Sequence, residues 1–378
     1  MVDQPYSAGS PLRRLLSAFH AFRSRQVARR EFRDFAARFP LTRPIARHNA
    51  SRLFDLTAGF VYSQALSAAV ELDLFDQMAR HSQSTADIAE IGSMPVASAH
   101  TLMRALASLD LAHQQFDGRY ALGTLGAALV DNPGVLAMIR HHSLLYRDLA
   151  DPLALLRTPK SDTELRRFWN YRDAEGSEDD AAGRYSDLMA ASQSFVSAEI
   201  FSAYPIQSHS VVLDVGGGDG SFLLAVAGRT AKATLVLFDL PAVATVARRR
   251  LAAHPLGHRI DVHGGSAFCD ALPVDADLVT LNRVLHDHDD GDAQRLLANL
   301  HQSMSPGSRL LLSEPMSETD GTSAMADAYF GFYLLAMGQG RPRSADEIQA
   351  MLRAAGFETI RALPARQPLL SRSILAIR

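Results

Sequence analysis

Apolar positions along this chain follow two periods, and the change from one to the other divides it. Near the start, Leu12, Leu15, Leu16, Phe19 and Phe22 recur at helical spacing, as do Phe32, Phe35, Ala36 and Phe39, with arginines between them. This predicts two short amphipathic helices. Pro40 and Pro44 then mark a boundary. From residue 51 to about 133 the pattern stays helical, with a broad apolar face over 61–78. Ser84-Thr85-Ala86-Asp87 reads as a cap opening a short helix that Gly92 ends, and Pro95 opens another running to Leu109. Asp117-Gly118 is a tight turn between short alternating runs, which predicts a hairpin. Helix, turn, helix and hairpin together make a winged-helix shape.

After residue 210 short apolar runs alternate with helical patterns, at 211–215, 235–238, 260–263, 278–281 and 309–313. Strands separated by helices imply right-handed crossovers and a doubly wound, mostly parallel, Rossmann-like α/β sheet with its ligand at the strands' carboxyl ends. Runs at 359–363 and 373–377, joined by a proline-containing loop, are expected as an antiparallel pair at one edge. Between 151 and 180 the composition turns charged and irregular around Phe168-Trp169-Asn170-Tyr171, and residues 185–193 resume a helix expected to cross over the site. The expected organisation is an arm over 1–48, a helical winged-helix-like domain over 49–195 and a sheet domain over 196–378.

Composition narrows the classes. With 378 residues, 47% hydrophobic and 21% charged, the chain has room for two ordinary domains. The net charge of −3 hides an asymmetry, since the first 50 residues carry ten arginines against three acids. Such an arm suits an anionic membrane surface, a second subunit or solvent. No uninterrupted apolar run approaches the ~18 residues of a membrane span, and the first residues lack a signal-peptide layout. Cys269 is the only cysteine, which excludes a disulfide framework and a thiolate zinc site and fits a cytoplasmic protein. DNA binding is disfavoured: the candidate recognition helix over 96–109 has Arg104 as its only arginine or lysine, with Asp87, Glu90, Asp110 and Asp117 around it.

The chemistry concentrates at Val211-Val-Leu-Asp-Val-Gly-Gly-Gly-Asp-Gly220. Branched apolar residues give a strand, glycines let the chain turn against a ligand, and the run 222–227 continues as a helix, which is a nucleotide-binding position. A dinucleotide fingerprint would require a third glycine where Ser221 stands. The pattern is instead an acid followed by alternate glycines: Asp214, Gly216, Gly218 and Gly220. A second acid, Asp239, closes the next apolar run, where a carboxylate can accept ribose hydroxyls.

The acid and its glycines resemble the first motif of class I S-adenosylmethionine-dependent methyltransferases. Adding Phe238-Asp-Leu-Pro241, the stretch Leu278 to Asp290, Leu311-Leu-Ser-Glu-Pro315 and the winged helical domain, the chain looks like the plant-type and bacterial small-molecule O-methyltransferases. That resemblance implies His286 as general base, oriented by Glu314. It implies cofactor contacts from Asp214, Gly216, Gly218, Asp239, Leu240, Ser266, Phe268, Asn282 and Gln193, with Asp214 facing the methionine ammonium. It also implies a homodimer formed through the helical domain. Met189, Trp169, Tyr329, Tyr333 and Met337 are the implied acceptor contacts, although the Tyr329-to-Met337 stripe would serve equally as core.

Residues 328–344, with His286-Asp-His-Asp-Asp290, resemble the carotenoid hydroxyl methyltransferases of phototrophic bacteria, of the demethylspheroidene and hydroxyneurosporene type. The expected acceptor is therefore a hydroxylated carotenoid, with a phenolic or polyketide metabolite as the alternative. An NAD-dependent dehydrogenase is a further alternative, disfavoured by Ser221. Three positions depart from the family pattern: Gly265-Ser266 replaces an acid at the adenine, Pro342 replaces a second acid near the base, and His288 stands in place of a Trp and is expected beside the adenine. His286, Asp287, His288, Asp289 and Asp290 could bind a metal by type, but neighbours on one stretch rarely all point inward. Asp287 is expected at a helix start, out of reach of the atom that His286 serves.

Overall fold

The computed structural model describes residues 11–159, 161–170, 193, 196–319, 324–365 and 371–378. They fall into two compact units, one ending at Ala127 and the other running Ala128–Arg378.

The first unit begins with α1 (Pro11–Ala28), α2 (Arg30–Arg38) and α3 (Arg43–Glu71). Both arm helices form where the spacing places them. Pro44, however, sits in the first turn of α3, where its missing N–H costs nothing, so it starts a helix instead of separating two domains. The boundary expected at 48/49 falls inside that helix. Asp73 adopts a left-handed conformation (φ 50°) and splits the expected 61–78 helix into α3 and α4 (Leu74–Arg80). Next comes α5 (Thr85–Ile91), opened by a capping box in which Asp87 N–H donates to Ser84 Oγ (3.1 Å) and Ser84 N–H to Asp87 Oδ2 (2.8 Å). Then come α6 (Val96–Ser108), the hairpin β1 (Ala112–Gln114) and β2 (Tyr120–Leu122), and α7 (Thr124–Ala127).

Ile88, Met103, Leu106 and Tyr120 are buried here, whereas Leu15, Phe19, Phe22, Phe35, Leu53, Phe54, Leu56 and Phe60 are exposed in the single chain. Among the described residues α3 is long and apolar enough, by length and composition alone, to cross a membrane, and 17% of its apolar window is buried. The expectation that no such stretch exists is corrected. Asp55, Ser63 and Gln64 interrupt the run without lowering its mean hydropathy far enough.

The second unit is built on a seven-stranded sheet of order β10-β11-β7-β6-β3-β4-β5. Its parallel strands are β3 (Val211–Val215), β4 (Thr234–Asp239), β5 (Ile260–Gly264), β6 (Leu278–Asn282) and β7 (Arg309–Glu314). A separate short parallel pair joins β8 (Met316–Ser317) and β9 (Arg343–Ser344). The expected antiparallel pair, β10 (Thr359–Ala362) and β11 (Arg372–Ile377), lies at one edge, with β11 against β7. Because β3 pairs with β4 on one side and β6 on the other, the winding direction reverses there, and a crevice opens at the carboxyl ends.

Both faces of the sheet are covered. Leu213, Val279 and Leu310 pack against Leu296 and Leu352 on one side, and Val212, Leu278 and Leu311 against Phe222 and Ile200 on the other. Burial on both faces is why these strands read as continuous apolar runs.

The helices of this unit are α8 (Pro133–Asp148), α9 (Pro152–Arg157), α10 (Glu164–Asn170), α11 (residues 196–203), α12 (Ser221–Ala227), α13 (Pro241–Ala252), α14 (Asp290–Ser303), α15 (Gly331–Met337) and α16 (Ala345–Ala354). A π-helical turn, Ala324–Phe330, runs directly into α15. The sequence grouped α8–α10 with the N-terminal domain. They pack instead in this unit, where Leu145, Leu155, Leu165 and Trp169 meet Tyr333 and Leu334. An apolar helix face shows in sequence that a partner exists, not which one. Of the helix expected over 185–193, only residue 193 is among the described residues, and Met189 lies outside them.

Candidate active site

Three glycines shape the end of β3. Gly216, Gly218 and Gly220 have φ of 68°, 58° and 85°, a region that side chains with a Cβ rarely enter. A Cβ on Gly217 would stand 2.6 Å from Asp214 Oδ2, so the loop lies directly on that carboxylate. Asp214 is buried and accepts hydrogen bonds from Thr280 Oγ1 (2.6 Å) and Asn282 Nδ2 (3.1 Å). Burial pushes its pKa up to about 7, against the hydrogen bonds from Thr280 and Asn282 and with help from the nearby Asp239 charge. Beside it, Asn282 Oδ1 is buried without a hydrogen-bond partner among the described residues. An acid near neutrality and an orphaned acceptor on one cavity wall suit a cationic donor such as an ammonium group.

Asp239, at the end of β4, accepts from Gly218 N–H on Oδ2 (2.8 Å) and from Leu240 N–H on Oδ1 (2.7 Å). Leu240 precedes α13 as its cap. Past β5, Ser266 N–H donates to Asp270 Oδ2 (2.7 Å), and the Phe268 ring meets His288 edge-on at 5.0 Å. Gln193 lines the same cavity as Asp214, Gly216 and Gly218, whereas Leu240, Ser266, Phe268 and His288 lie outside its lining.

His286 sits on the short turn Leu285–Asp287 that follows β6. Its Nδ1 pairs with Oε2 of Glu314, the last residue of β7. The other oxygen, Oε1, accepts from the backbone N–H groups of Val284 (3.0 Å) and Leu285 (2.7 Å), so the carboxylate is fixed before it orients the ring. Asp287 does not stand apart from the base: its Oδ1 lies 3.2 Å from His286 Nε2. The tight turn folds neighbouring side chains onto one another, which an extended or α-helical backbone would not. Burial draws the His286 pKa down, but the charges of Asp287 and Glu314 outweigh it and the net direction is up.

The turn is held from behind by residues the sequence did not single out. Arg343 is 2% exposed and donates from Nη1 to Leu285 O (2.8 Å), from Nη2 to His288 O (2.7 Å) and from Nε to Asp290 Oδ1 (3.0 Å). Gly340, at φ 78°, passes so close that a Cβ would lie 2.1 Å from His286 O, and Arg341 N–H donates to that oxygen (3.0 Å).

On the acceptor side the cavity is lined by Met138, Trp169, Arg283, Tyr329, Phe330 and Tyr333. Tyr333 OH accepts from Trp169 Nε1 (3.2 Å) and pairs with His141 Nε2 (2.8 Å), and Tyr329 OH pairs with His142 Nε2 (2.9 Å). Burial takes His141 down to about 4, with His142 adding to the effect, and lifts Tyr329 to about 12. These groups are therefore neutral near pH 7, and Arg283 and Asp287 bring the charges to a wall that is otherwise mostly aromatic here. Arg283 itself holds a left-handed φ of 56°, strain of the kind that collects at functional sites. The π-helical turn brings Phe330 to the cavity, a position ordinary helical spacing did not select. Met337 packs into the apolar cluster with Leu145 and Leu165 instead of lining the cavity.

A doubly wound sheet with this loop and these two acids at its reversal point defines an S-adenosylmethionine-dependent methyltransferase acting on oxygen. The chain belongs to the O-methyltransferase family: the O-methyltransferase domain matches residues 146–358 and the O-methyltransferase dimerisation domain residues 54–132. It is 38% identical over 356 residues to the demethylspheroidene O-methyltransferase of Cereibacter sphaeroides, covering 94% of each chain. To the enzyme of that name from Rhodobacter capsulatus it is 38% identical over 359 residues, covering 94% of this chain and 89% of that one. Among solved structures it is similar to PigF with SAH, at 26% identity and a TM-score of 0.72 over 87% of this chain and 99% of that one. The fold is also that of human N-acetylserotonin methyltransferase in complex with SAM, with a TM-score of 0.74 at 22% identity over 87% and 97% of the two chains. The dehydrogenase alternative is set aside by this membership.

Proposed function

We propose that this enzyme methylates a hydroxyl of a long apolar acceptor of the hydroxylated carotenoid type, with His286 as general base and Glu314 orienting it. The observation that carries the reading is the buried His286–Glu314 pair, fixed by two backbone N–H groups and set in the wall of the cavity that the glycine loop borders. Two relatives bearing the name demethylspheroidene O-methyltransferase support the acceptor class, and so do the aromatic side chains of Trp169, Tyr329, Phe330 and Tyr333 in the cavity wall.

When bound, S-adenosylmethionine supplies a methyl made electrophilic by its sulfonium. Asp214 and Asn282 would hold its ammonium, the loop of Gly216 and Gly218 would border it, and Asp239 would accept from the ribose hydroxyls. Leu240, Ser266, Phe268 and Gln193 are assigned to the rest of the nucleoside, with His288 beside Phe268. An aliphatic alcohol is far less acidic than imidazolium, whose reference pKa is ~6.5, so no free alkoxide forms beforehand. His286 Nε2 takes the proton as the methyl transfers, while Glu314 holds Nδ1–H and stabilises the imidazolium.

In this reading the protein is cytoplasmic and homodimeric. The winged helices and hairpin of its first unit serve contact between copies, and the basic arm meets an anionic membrane surface where apolar acceptors reside. Incubation with pigment extract and isotopically labelled cofactor tests the acceptor. One carotenoid should gain a labelled methyl by mass spectrometry. Label on phenolic compounds alone would replace the acceptor class and leave the chemistry standing.

A further inference from the structure

We infer that Asp287 is a positioning residue of this reaction: its carboxylate, close beside Nε2 of His286, favours the imidazolium through its charge and makes the ring a stronger base toward the acceptor hydroxyl. The inference rests on His286 being the base. It begins from the geometry of one ring between two buried acids, Glu314 at Nδ1 and Asp287 Oδ1 3.2 Å from Nε2, with all three residues under a tenth exposed.

Glu314 accepts two backbone N–H bonds on Oε1 and pairs through Oε2 with Nδ1, so that side of the ring is directed at a carboxylate already held in place. At 3.2 Å the Asp287 carboxylate acts on Nε2 as a nearby negative charge. That charge favours the imidazolium, the form that each turnover generates. In the transfer, the acceptor O–H bond breaks as the O–CH3 bond forms, the S–CH3 electron pair stays on sulfur, and the proton goes to Nε2. Asp287 lines the cavity, so its charge stands beside the nitrogen that takes the proton.

The charged and titratable groups around the ring agree. Burial lowers the imidazole's proton affinity, Asp287 and then Glu314 raise it, and Arg283 at the end of β6 opposes them, leaving it raised. Tyr333, on α15, is itself pushed up by burial and in part by the Asp287 charge, so that side presents a neutral hydroxyl. Phe330, on the π-helical turn, meets the ring edge-on at 6.1 Å and brings no charge. Arg343 reaches the turn through backbone carbonyls and Asp290, not through the ring.

The test is a histidine side-chain NMR titration of the cofactor-free enzyme, with His286→Gln identifying the signal, run beside the pH dependence of kcat/KM. In Asp287→Asn the His286 imidazolium should be lost at lower pH than in the wild type, by about one pH unit or more, a tenfold change in proton affinity. The acidic limb of kcat/KM should move the same way, while the plateau rate falls about tenfold because the base is weaker. Asp287→Glu, which keeps the charge, should restore the raised titration, and it carries the test if the Asn variant does not fold. Superimposable His286 titrations in wild type and Asp287→Asn, or a Glu variant that titrates as a free imidazole, would overturn the inference. Should His286→Gln keep near-normal turnover, it is the general-base reading that fails, and the coupling of Asp287 to the ring is still read by NMR.

Discussion

His286 can accept a proton only in its neutral form, and its neighbours hold it protonated to higher pH than a free imidazole. With the pKa raised, kcat/KM should climb through a value above the ordinary ~6.5 and level off beyond it. His286→Ala should lower kcat by about 10²–10⁴ with cofactor affinity unchanged, and Glu314→Gln should lose less. The double variant should be little worse than His286→Ala, since the two groups act as one unit. Wild-type turnover in His286→Ala would leave alignment alone as the source of rate. On the cofactor side, Asp239→Ala strips the acceptors from Gly218 N–H and Leu240 N–H and, in the proposed reading, from the ribose. It should weaken cofactor binding by about 1–3 kcal/mol, roughly ten- to a hundredfold, in titration calorimetry. An unchanged affinity would remove Asp239 from the site.

Among the elements, the turn after β6 is the one whose conformation the chemistry depends on most directly. Its carbonyls at Leu285, His286 and His288 are bonded by Arg343, the Arg341 amide and Arg343 again. Gly340→Ala would drive a Cβ into His286 O at a φ that disfavours it, so kcat should fall while cofactor affinity holds. Arg343→Met leaves buried carbonyls without donors and should cost about 1–3 kcal/mol in denaturant unfolding. A variant of either kind with unaltered kcat would show that the strap is not needed for the geometry. Element by element, legibility followed locality. The Ser84–Asp87 capping box read correctly because both partners lie within one turn. Phe330 did not, because the π-helical turn shifts the phase that ordinary helical spacing assumes.

At the scale of the molecule, the first unit presents basic and apolar surface together, and the second carries the chemistry. Because α3 starts at Arg43, deletion of residues 1–42 removes the arm without cutting that helix. The truncated enzyme should methylate a detergent-solubilised acceptor at near-normal rate yet float less with anionic liposomes, since arginines and exposed Phe19, Phe22 and Phe35 are lost together. If full-length protein does not float, or the truncation is monomeric where the full chain is a dimer, the arm contacts the partner copy instead.

The pairing of His286 with Glu314 came from the family resemblance, whereas the sequence by itself determined the run of parallel strands, the glycine loop on Asp214 and the second acid at the end of β4. Each follows from a period, a turn residue or a motif contained within a few positions, and parallel topology then carries strand ends to one crevice. Tertiary structure alone decided that α8–α10 join the sheet unit, that Asp287 folds onto Nε2 and that Arg343 clamps the turn from 58 residues away. Those arrangements depend on which surfaces meet when the chain returns on itself. A sequence pattern records that a face must be buried, but not the neighbour that buries it.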